Sequence, residues 1–240
     1  MPVSPDFTPI YTQNYEIDFQ HCYSTGFLKH TEICNLFQIV AGNHADLGGI
    51  SYLDMQQHHQ AWVLSRMRIE VKKLPKWKDV ITIKTWIKTL ENSRSVRCLE
   101  MYWNEEKIIG CETFWVVINT KTRRPDILAL PHAHFEKFDT DSILKPIQKI
   151  TIPETFTNKN ERTILLSDID IVNHANNVKY VEWCLDVTDI ETVLNNKIKA
   201  LNLNYLQELN YNDVIEIHHT STNFLITKEG KSCFALEIEL

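Results

Sequence analysis

The chain has 240 residues, 43% of them hydrophobic and 23% charged, enough apolar material for one large domain or two small ones with a real core. A net charge of −6, from 25 basic and 31 acidic residues, argues against general nucleic-acid affinity, and no apolar run reaches membrane-spanning length. The opening Met1-Pro2-Val3-Ser4-Pro5-Asp6 lacks the basic and apolar stretches of a secretory signal, so a cytoplasmic protein is expected.

In chain order, residues 1–13 read as a loosely ordered lead-in and residues 15–19 as a first strand. Ser24 or Thr25 can cap a long helix whose apolar positions Ile33, Leu36, Phe37, Val40 and Ala41 fall at helical spacing, and Gly48-Gly49 stops it. In Arg66-Met67-Arg68-Ile69-Glu70-Val71-Lys72 the alternation is unbroken, which predicts a strand with Met67, Ile69 and Val71 inward and the charges outward. Residues 80–90 form the next strand. Residues 96–103 and 107–119 pair as a hairpin across Asn104-Glu105-Glu106.

The second half repeats this plan. A strand ending at Asp170 leads to a helix over about residues 178–187, then a short helix behind Thr188-Asp189-Ile190-Glu191, then strands near 201–206, 214–219, 222–227 and 232–238. Asp79-Val80-Ile81-Thr82-Ile83-Lys84 answers Asp213-Val214-Ile215-Glu216-Ile217-His218, and Trp77 answers Tyr211. An internal duplication explains this more economically than two unrelated domains. The expected class is therefore α+β, with one unit over residues 1–130, a Pro-, Lys- and Thr-rich linker over 131–160, and a second unit over 161–240.

Chemistry concentrates in Ser167-Asp168-Ile169-Asp170-Ile171-Val172-Asn173-His174-Ala175-Asn176-Asn177-Val178. Asp170 and His174 flank a turn, and Asn176 and Asn177 offer cap side chains to the helix that follows. N–H groups at a helix start carry partial positive charge, which suits a developing oxyanion, so acid, base and electrophile would meet at one point. Asp, Asn and His are also common turn residues, and this spacing alone decides nothing. The duplication helps. The matching passage of the first copy, Asp18-Phe19-Gln20-His21-Cys22-Tyr23-Ser24-Thr25-Gly26, has a different spacing and no Asn-Asn pair, and Glu208 of the second copy falls opposite Leu74. The polar cluster belongs to one copy.

The tandem layout resembles the acyl-acyl-carrier-protein (acyl-ACP) thioesterases, the plant plastid enzymes and their bacterial relatives. The segments that carry the resemblance are Trp62-Val63-Leu64-Ser65-Arg66-Met67, Pro75-Lys76-Trp77-Lys78-Asp79-Val80, the run from Phe114 through Arg124, and Asp168-Ile169-Asp170 with His174-Ala175-Asn176-Asn177-Val178-Lys179-Tyr180. The resemblance implies a tandem, or double, hotdog fold, two long helices each wrapped by an antiparallel sheet. It also implies hydrolysis of the thioester between a fatty acyl chain and the phosphopantetheine arm of acyl carrier protein. The family's aspartate falls on Asp170, its histidine on His174 and its later glutamate on Glu208. The family's asparagine position is Val172 here, with Asn173 one place along, and the position of the plant cysteine is Leu209, which excludes a cysteine nucleophile there.

Glu208 or Asp170 would activate water with His174 polarising the carbonyl, or Asp170 would attack and form an anhydride; both routes stay open on the sequence. Asn173 is a candidate for orienting a carboxylate, and the helix start at Asn176 and Asn177 for supplying oxyanion donors. Arg66, Arg68, Lys72, Lys73, Lys76 and Lys78, with Lys121, Arg123 and Arg124, read as a basic surface. Within it Arg123, Arg124 and Arg66 are the candidates for docking the acidic carrier. Cys22, Cys34, Cys98, Cys111, Cys184 and Cys233 read as reduced thiols, and the His58-His59 and His218-His219 pairs cannot chelate from an extended strand, so no metal and no cofactor is expected. The neighbouring readings are an acyl-CoA thioesterase and a non-catalytic acyl-binding protein on the same fold. A monomer and a homodimer are equally compatible with a tandem fold.

Overall fold

A computed structural model describes residues 3–240. The chain forms two compact units, one containing residues 69–146 with the chain before Arg66, the other Arg66–Arg68 with Ile147–Leu240. In the first unit, β1 (Ile10–Glu16), a 3-10 turn (Phe19–His21), helix α1 (His30–Leu47) and a short α2 (Tyr52–Gln56) precede β2 (Gln60–Val71), β3 (Val80–Glu91), β4 (Arg94–Trp103) and β5 (Glu106–Asn119). The strand order is β1-β3-β4-β5-β2. The second unit has β6 (Asn158–Thr163), a 3-10 turn (Leu166–Asp168), α3 (Asn177–Asp186), α4 (Ile190–Leu194), β7 (Ala200–Tyr205), β8 (Val214–His219), β9 (Asn223–Lys228) and β10 (Lys231–Glu239). Its order, read from the other edge, is β6-β8-β9-β10-β7, the same plan one copy later. Each unit sets one main helix against an antiparallel sheet, the α+β double hotdog that the resemblance implied.

Apolar spacing placed the helices well. Ile33, Leu36, Phe37 and Val40 of α1 are buried, as are Val178, Val181, Trp183 and Leu185 of α3. The start of α1 lies later than Ser24 or Thr25 suggested. Residues 22–28 close a tight turn through a Cys22–Leu28 bridge, with Gly26 in the left-handed region (φ 80°), and the helix begins behind Lys29 without a side-chain cap. The first strand likewise lies earlier, and the strand expected to end at Asp170 ends at Thr163, with a 3-10 turn between.

Residues 131–160 are not one linker. The division falls after Pro146, and residues 131–146 pack into the first unit, where Phe135 joins Ile50, Met55, Ile87 and Val117 in a buried cluster. Two glycines make this packing possible. A Cβ on Gly48 would lie 2.0 Å from the Phe135 ring, and one on Gly110 would lie 1.9 Å from the Ser142 carbonyl oxygen. Composition reads this stretch as a linker because it is rich in Pro, Lys and Thr, yet Phe135, Ser142 and Ile143 are buried. At the other end, residues 158–163 form β6.

The basic stripe also needs correction at one position. Arg68 is buried, donating to Glu239 at 2.7 Å and to Asn202 at 2.8 Å within the second unit. Strand alternation is satisfied by pairing the charge rather than exposing it. Among the described residues, no helix is long and apolar enough to cross a membrane.

The duplication extends to individual backbone hydrogen bonds. In the first copy Ile17 and Asp79, Lys78 and Ile17, and Leu28 and Pro75 are joined N–H to C=O at 2.9 Å; in the second the same bonds join Ile164 and Asp213, Asn212 and Ile164, and Ala175 and Leu209 at 2.8–3.0 Å. Around the turn, Tyr23 N–H to Phe27 O matches Asp170 N–H to His174 O, and Gly26 N–H to Tyr23 O matches Asn173 N–H to Asp170 O. Position by position, Asp170, His174 and Glu208 stand where the first copy carries Tyr23, Phe27 and Leu74.

Candidate active site

The turn before α3 is fixed from within. Ile169 bridges Ala175, the Asp170 amide donates to the His174 carbonyl at 2.9 Å, and the Asn173 amide donates to the Asp170 carbonyl at 3.0 Å. Closing so tight a loop requires a left-handed residue, and Asn173 takes that place with φ 64° where the first copy has Gly26. Asn173 is exposed, and this backbone duty accounts for its residue type. The Asp170 carboxylate accepts the Val172 amide at 3.0 Å, so it is held by its own loop.

Asp168, two residues earlier, has a different task. It is 1% exposed, accepts the Leu165 amide at 2.8 Å and pairs with Arg162 at 3.3 Å. The Arg162 guanidinium in turn lies over the Trp183 ring. Of the two aspartates in Asp168-Ile169-Asp170, one locks the 3-10 turn and the other faces the loop.

Glu208 arrives from the irregular segment after β7 and is pinned on both sides. The Gln207 amide donates to Cys233 O at 3.0 Å, Leu209 O accepts the Ala175 amide at 2.8 Å, and the Leu209 amide donates to the Tyr180 hydroxyl at 3.0 Å. That hydroxyl reaches back to Gln207 O at 3.5 Å, so one phenol spans both neighbours of Glu208. The outcome is contact between the expected pair: His174 Nε2 lies 3.4 Å from Glu208 Oε2, with the side chains 29% and 33% exposed. Imidazole and carboxylate thus meet at a surface that substrate can reach.

Tyr180 was not singled out by the sequence, because its place on the apolar face of α3 reads as core. It does pack there, against Trp183, Tyr205 and Phe234. Burial raises its phenol well above the ordinary range, and the nearby Cys233, Glu208 and Asp170 push the same way, so the hydroxyl keeps its proton. The signal that could have found it is the duplication, which sets Tyr180 opposite Ile33, a residue with no polar atom to offer.

The two asparagines at the helix start divide the work. Asn176 is the N-cap, its side chain accepting the Val178 amide at 2.9 Å, and its carbonyl takes the Lys179 amide at 2.9 Å. The Asn177 amide is the first-turn donor that the cap does not use, and its carbonyl is held by the Tyr205 hydroxyl at 3.1 Å. The docking candidates lie elsewhere. Arg123 and Arg124 are exposed at the turn after β5, with Arg123 in the left-handed region, and Arg66 is half-buried in β2. Among the described residues, no group of three or more His, Cys, Asp or Glu is arranged to hold a metal ion.

With this geometry in view, the comparison with known proteins is specific. Residues 8–129 match the acyl-ACP thioesterase N-terminal domain and residues 153–239 the acyl-ACP thioesterase C-terminal domain. The chain belongs to the acyl-ACP thioesterase family. It is 28% identical over 219 residues to an oleoyl-acyl carrier protein thioesterase of Coriandrum sativum, covering 81% of this chain and 59% of that one. To oleoyl-acyl carrier protein thioesterase 2 of Arabidopsis thaliana it is 30% identical over 210 residues, covering 79% and 57%. The chain therefore spans under two thirds of the length of these plant thioesterases. In fold it is similar to an acyl-ACP thioesterase from Bacteroides thetaiotaomicron, with a TM-score of 0.86, 23% identity and coverage of 96% and 97%. The 12:0-ACP thioesterase of Umbellularia californica gives 0.78, 20% and 97% of each chain.

Proposed function

We propose that this acyl-ACP thioesterase family member hydrolyses fatty acyl thioesters of acyl carrier protein and releases the free fatty acid. The observation that carries the reading is the His174–Glu208 contact at 3.4 Å, built by the second copy at positions where the first has Phe27 and Leu74. Family membership and the acyl-ACP activity named for the similar plant proteins support the substrate class.

A thioester needs a nucleophile and a place for negative charge on its carbonyl oxygen; the thiolate leaves with little help. In the reading we favour, Glu208 orients the His174 imidazole, the pair takes a proton from water, and that water attacks the carbonyl carbon. The tetrahedral oxyanion is met by the Asn177 amide at the positive end of α3. His174 then returns the proton to the departing sulfur. Asp170, held by the Val172 amide, supports this arrangement as the fixed negative charge of the loop rather than as the attacking group. Arg123 and Arg124, exposed and basic, are the proposed contact for the acidic carrier, with Arg66 a further candidate.

The test is hydrolysis of matched acyl-ACP and acyl-CoA substrates across chain lengths, run beside His174→Ala. The expected result is fatty acid release that prefers the carrier-bound substrate and collapses in the variant. Equal rates on both carriers would remove the carrier from the proposal, and full activity in His174→Ala would remove the mechanism.

A further inference from the structure

The duplication supplies an internal control for the surface around the His174–Glu208 pair. Leu165, Ile171, Val172 and Leu206 are aliphatic and between 38% and 88% exposed. Ile171 and Val172 lie in the loop between Asp170 and His174, and Leu206 stands two residues before Glu208. Leu165 precedes the 3-10 turn that is tied to the start of α3 by the Asn176 amide, which donates to Asp168 O at 2.8 Å. Backbone bonds fix the corresponding residues of the first copy. The Asp168 amide donates to Leu165 O at 3.0 Å as the His21 amide donates to Asp18 O at 3.1 Å. The Leu206 and Gln207 amides share Cys233 O as those of Lys72 and Lys73 share Ile108 O. With the turn of residues 23–26 already matched, the counterparts are Asp18, Ser24, Thr25 and Lys72, all exposed and all polar or charged.

Not every exposed apolar residue of the second copy differs in this way. Leu166, Tyr211 and Val214 have exposed apolar counterparts in Phe19, Trp77 and Val80, so these belong to the plan that both copies share. The four that differ flank both segments carrying the reactive side chains. Solvated aliphatic side chains add nothing to the core, and a patch of them at a site mouth marks a contact surface. Whatever covers the patch also covers the mouth. The carrier has to come to this mouth, because the thioester sits on its own arm. Charge guides the approach of two proteins, while the centre of the docked interface is apolar. A lipid surface fits less well. Binding to an anionic membrane joins apolar side chains to lysine and arginine, whereas the patch has Leu206 where the first copy has Lys72.

We propose that Leu165, Ile171, Val172 and Leu206 form the apolar centre of the surface on which acyl carrier protein docks as its arm enters the site. The inference rests on the proposed acyl-ACP hydrolysis and names the surface that receives the partner. The test is binding to the full chain, without turnover, of a carrier whose arm holds a decanoyl group through an amide in place of the thioester. Ile171→Ser combined with Leu206→Ser, exposed and charge-neutral changes, should weaken binding at least tenfold, and the loss should persist at high salt. Phe19→Ser, at the matching turn of the first copy, should bind as the native protein does. Native affinity in the double variant, an equal loss in Phe19→Ser, or no binding by the native chain would overturn the docking surface. Patch-dependent attachment to phosphatidylglycerol vesicles, or patch-dependent self-association in sedimentation, in place of patch-dependent carrier binding would do the same. Hydrolysis of the matching thioester is scored separately. A chain that binds the carrier through the patch and releases no fatty acid keeps the docking surface and loses the proposed reaction.

Discussion

Replacing Tyr180 by Phe removes a single oxygen from the α3 core and leaves the ring packing against Trp183, Tyr205 and Phe234 intact. The oxygen accepts the Leu209 amide at 3.0 Å and lies 3.5 Å from Gln207 O, at the outer limit of a hydrogen bond, so the amide bond dominates. Leu209 is fully buried, and its orphaned N–H costs about 1–3 kcal/mol. At roughly 2–4 °C per kcal/mol for a chain of this size, a loss near 2 kcal/mol lowers Tm by about 4–8 °C. The functional consequence is larger in proportion, because the freed segment carries Glu208. A displacement on the order of 1 Å can cost about a hundredfold in rate, so kcat for acyl-ACP hydrolysis should fall roughly 10- to 100-fold with KM little changed. Steady-state kinetics beside thermal unfolding of the same preparation make the assay. A Tm that falls as expected with kcat unmoved would refute the claim that this hydroxyl holds Glu208 against His174.

Further outcomes follow from the same structure. Gly48→Ala drives a methyl into the Phe135 ring, and overpacking of about 1–3 kcal/mol should appear in thermal unfolding, partly relieved by Phe135→Leu in the same chain. Burial holds His30 down at about 4 in the folded protein against 6.5 ordinarily, so only the unfolded chain takes up its proton between those values. Its contribution is therefore complete above pH 6.5 and is lost as pH falls toward 4, by about 3 kcal/mol; His30→Phe should flatten this part of the Tm–pH curve. Reversing Arg123 and Arg124 to Glu should raise KM for acyl-ACP several-fold while leaving a small acyl thioester substrate unaffected, and a uniform loss on both substrates would tell against carrier docking there.

How much could be read from the sequence follows from the range of the physics. Alternation and 3.6-residue spacing are local, and they located β3 through β5 and the order of the second copy to within a few residues, whereas β2 starts earlier and α1 later than local pattern suggested. The duplication placed Glu208 opposite Leu74 and so pointed to a residue 34 positions from His174 that the structure brings within 3.4 Å. What escaped depends on contacts that no window of sequence contains. Phe135 and Ser142 settle into spaces left by Gly48 and Gly110, which turned an expected linker into part of the first unit. Arg68 looked solvated until Glu239 and Asn202 met it. Asn173 drew attention as a polar group, yet its left-handed backbone and its glycine counterpart explain its presence at the turn. Tyr180 escaped because one polar atom on an otherwise core-facing side chain leaves no trace in periodicity.

In the proposed thioester hydrolysis the His174–Glu208 pair is the proton-handling centre. Glu208→Gln is the most direct probe, because the backbone bonds of Gln207 and Leu209 keep the side chain in place while its charge is removed. Single-turnover release of fatty acid from acyl-ACP should slow by about a hundredfold or more in this variant, with the fold and Tm preserved. A Glu208→Gln protein that releases fatty acid at the native rate would contradict the assignment and move the chemistry to another part of the molecule.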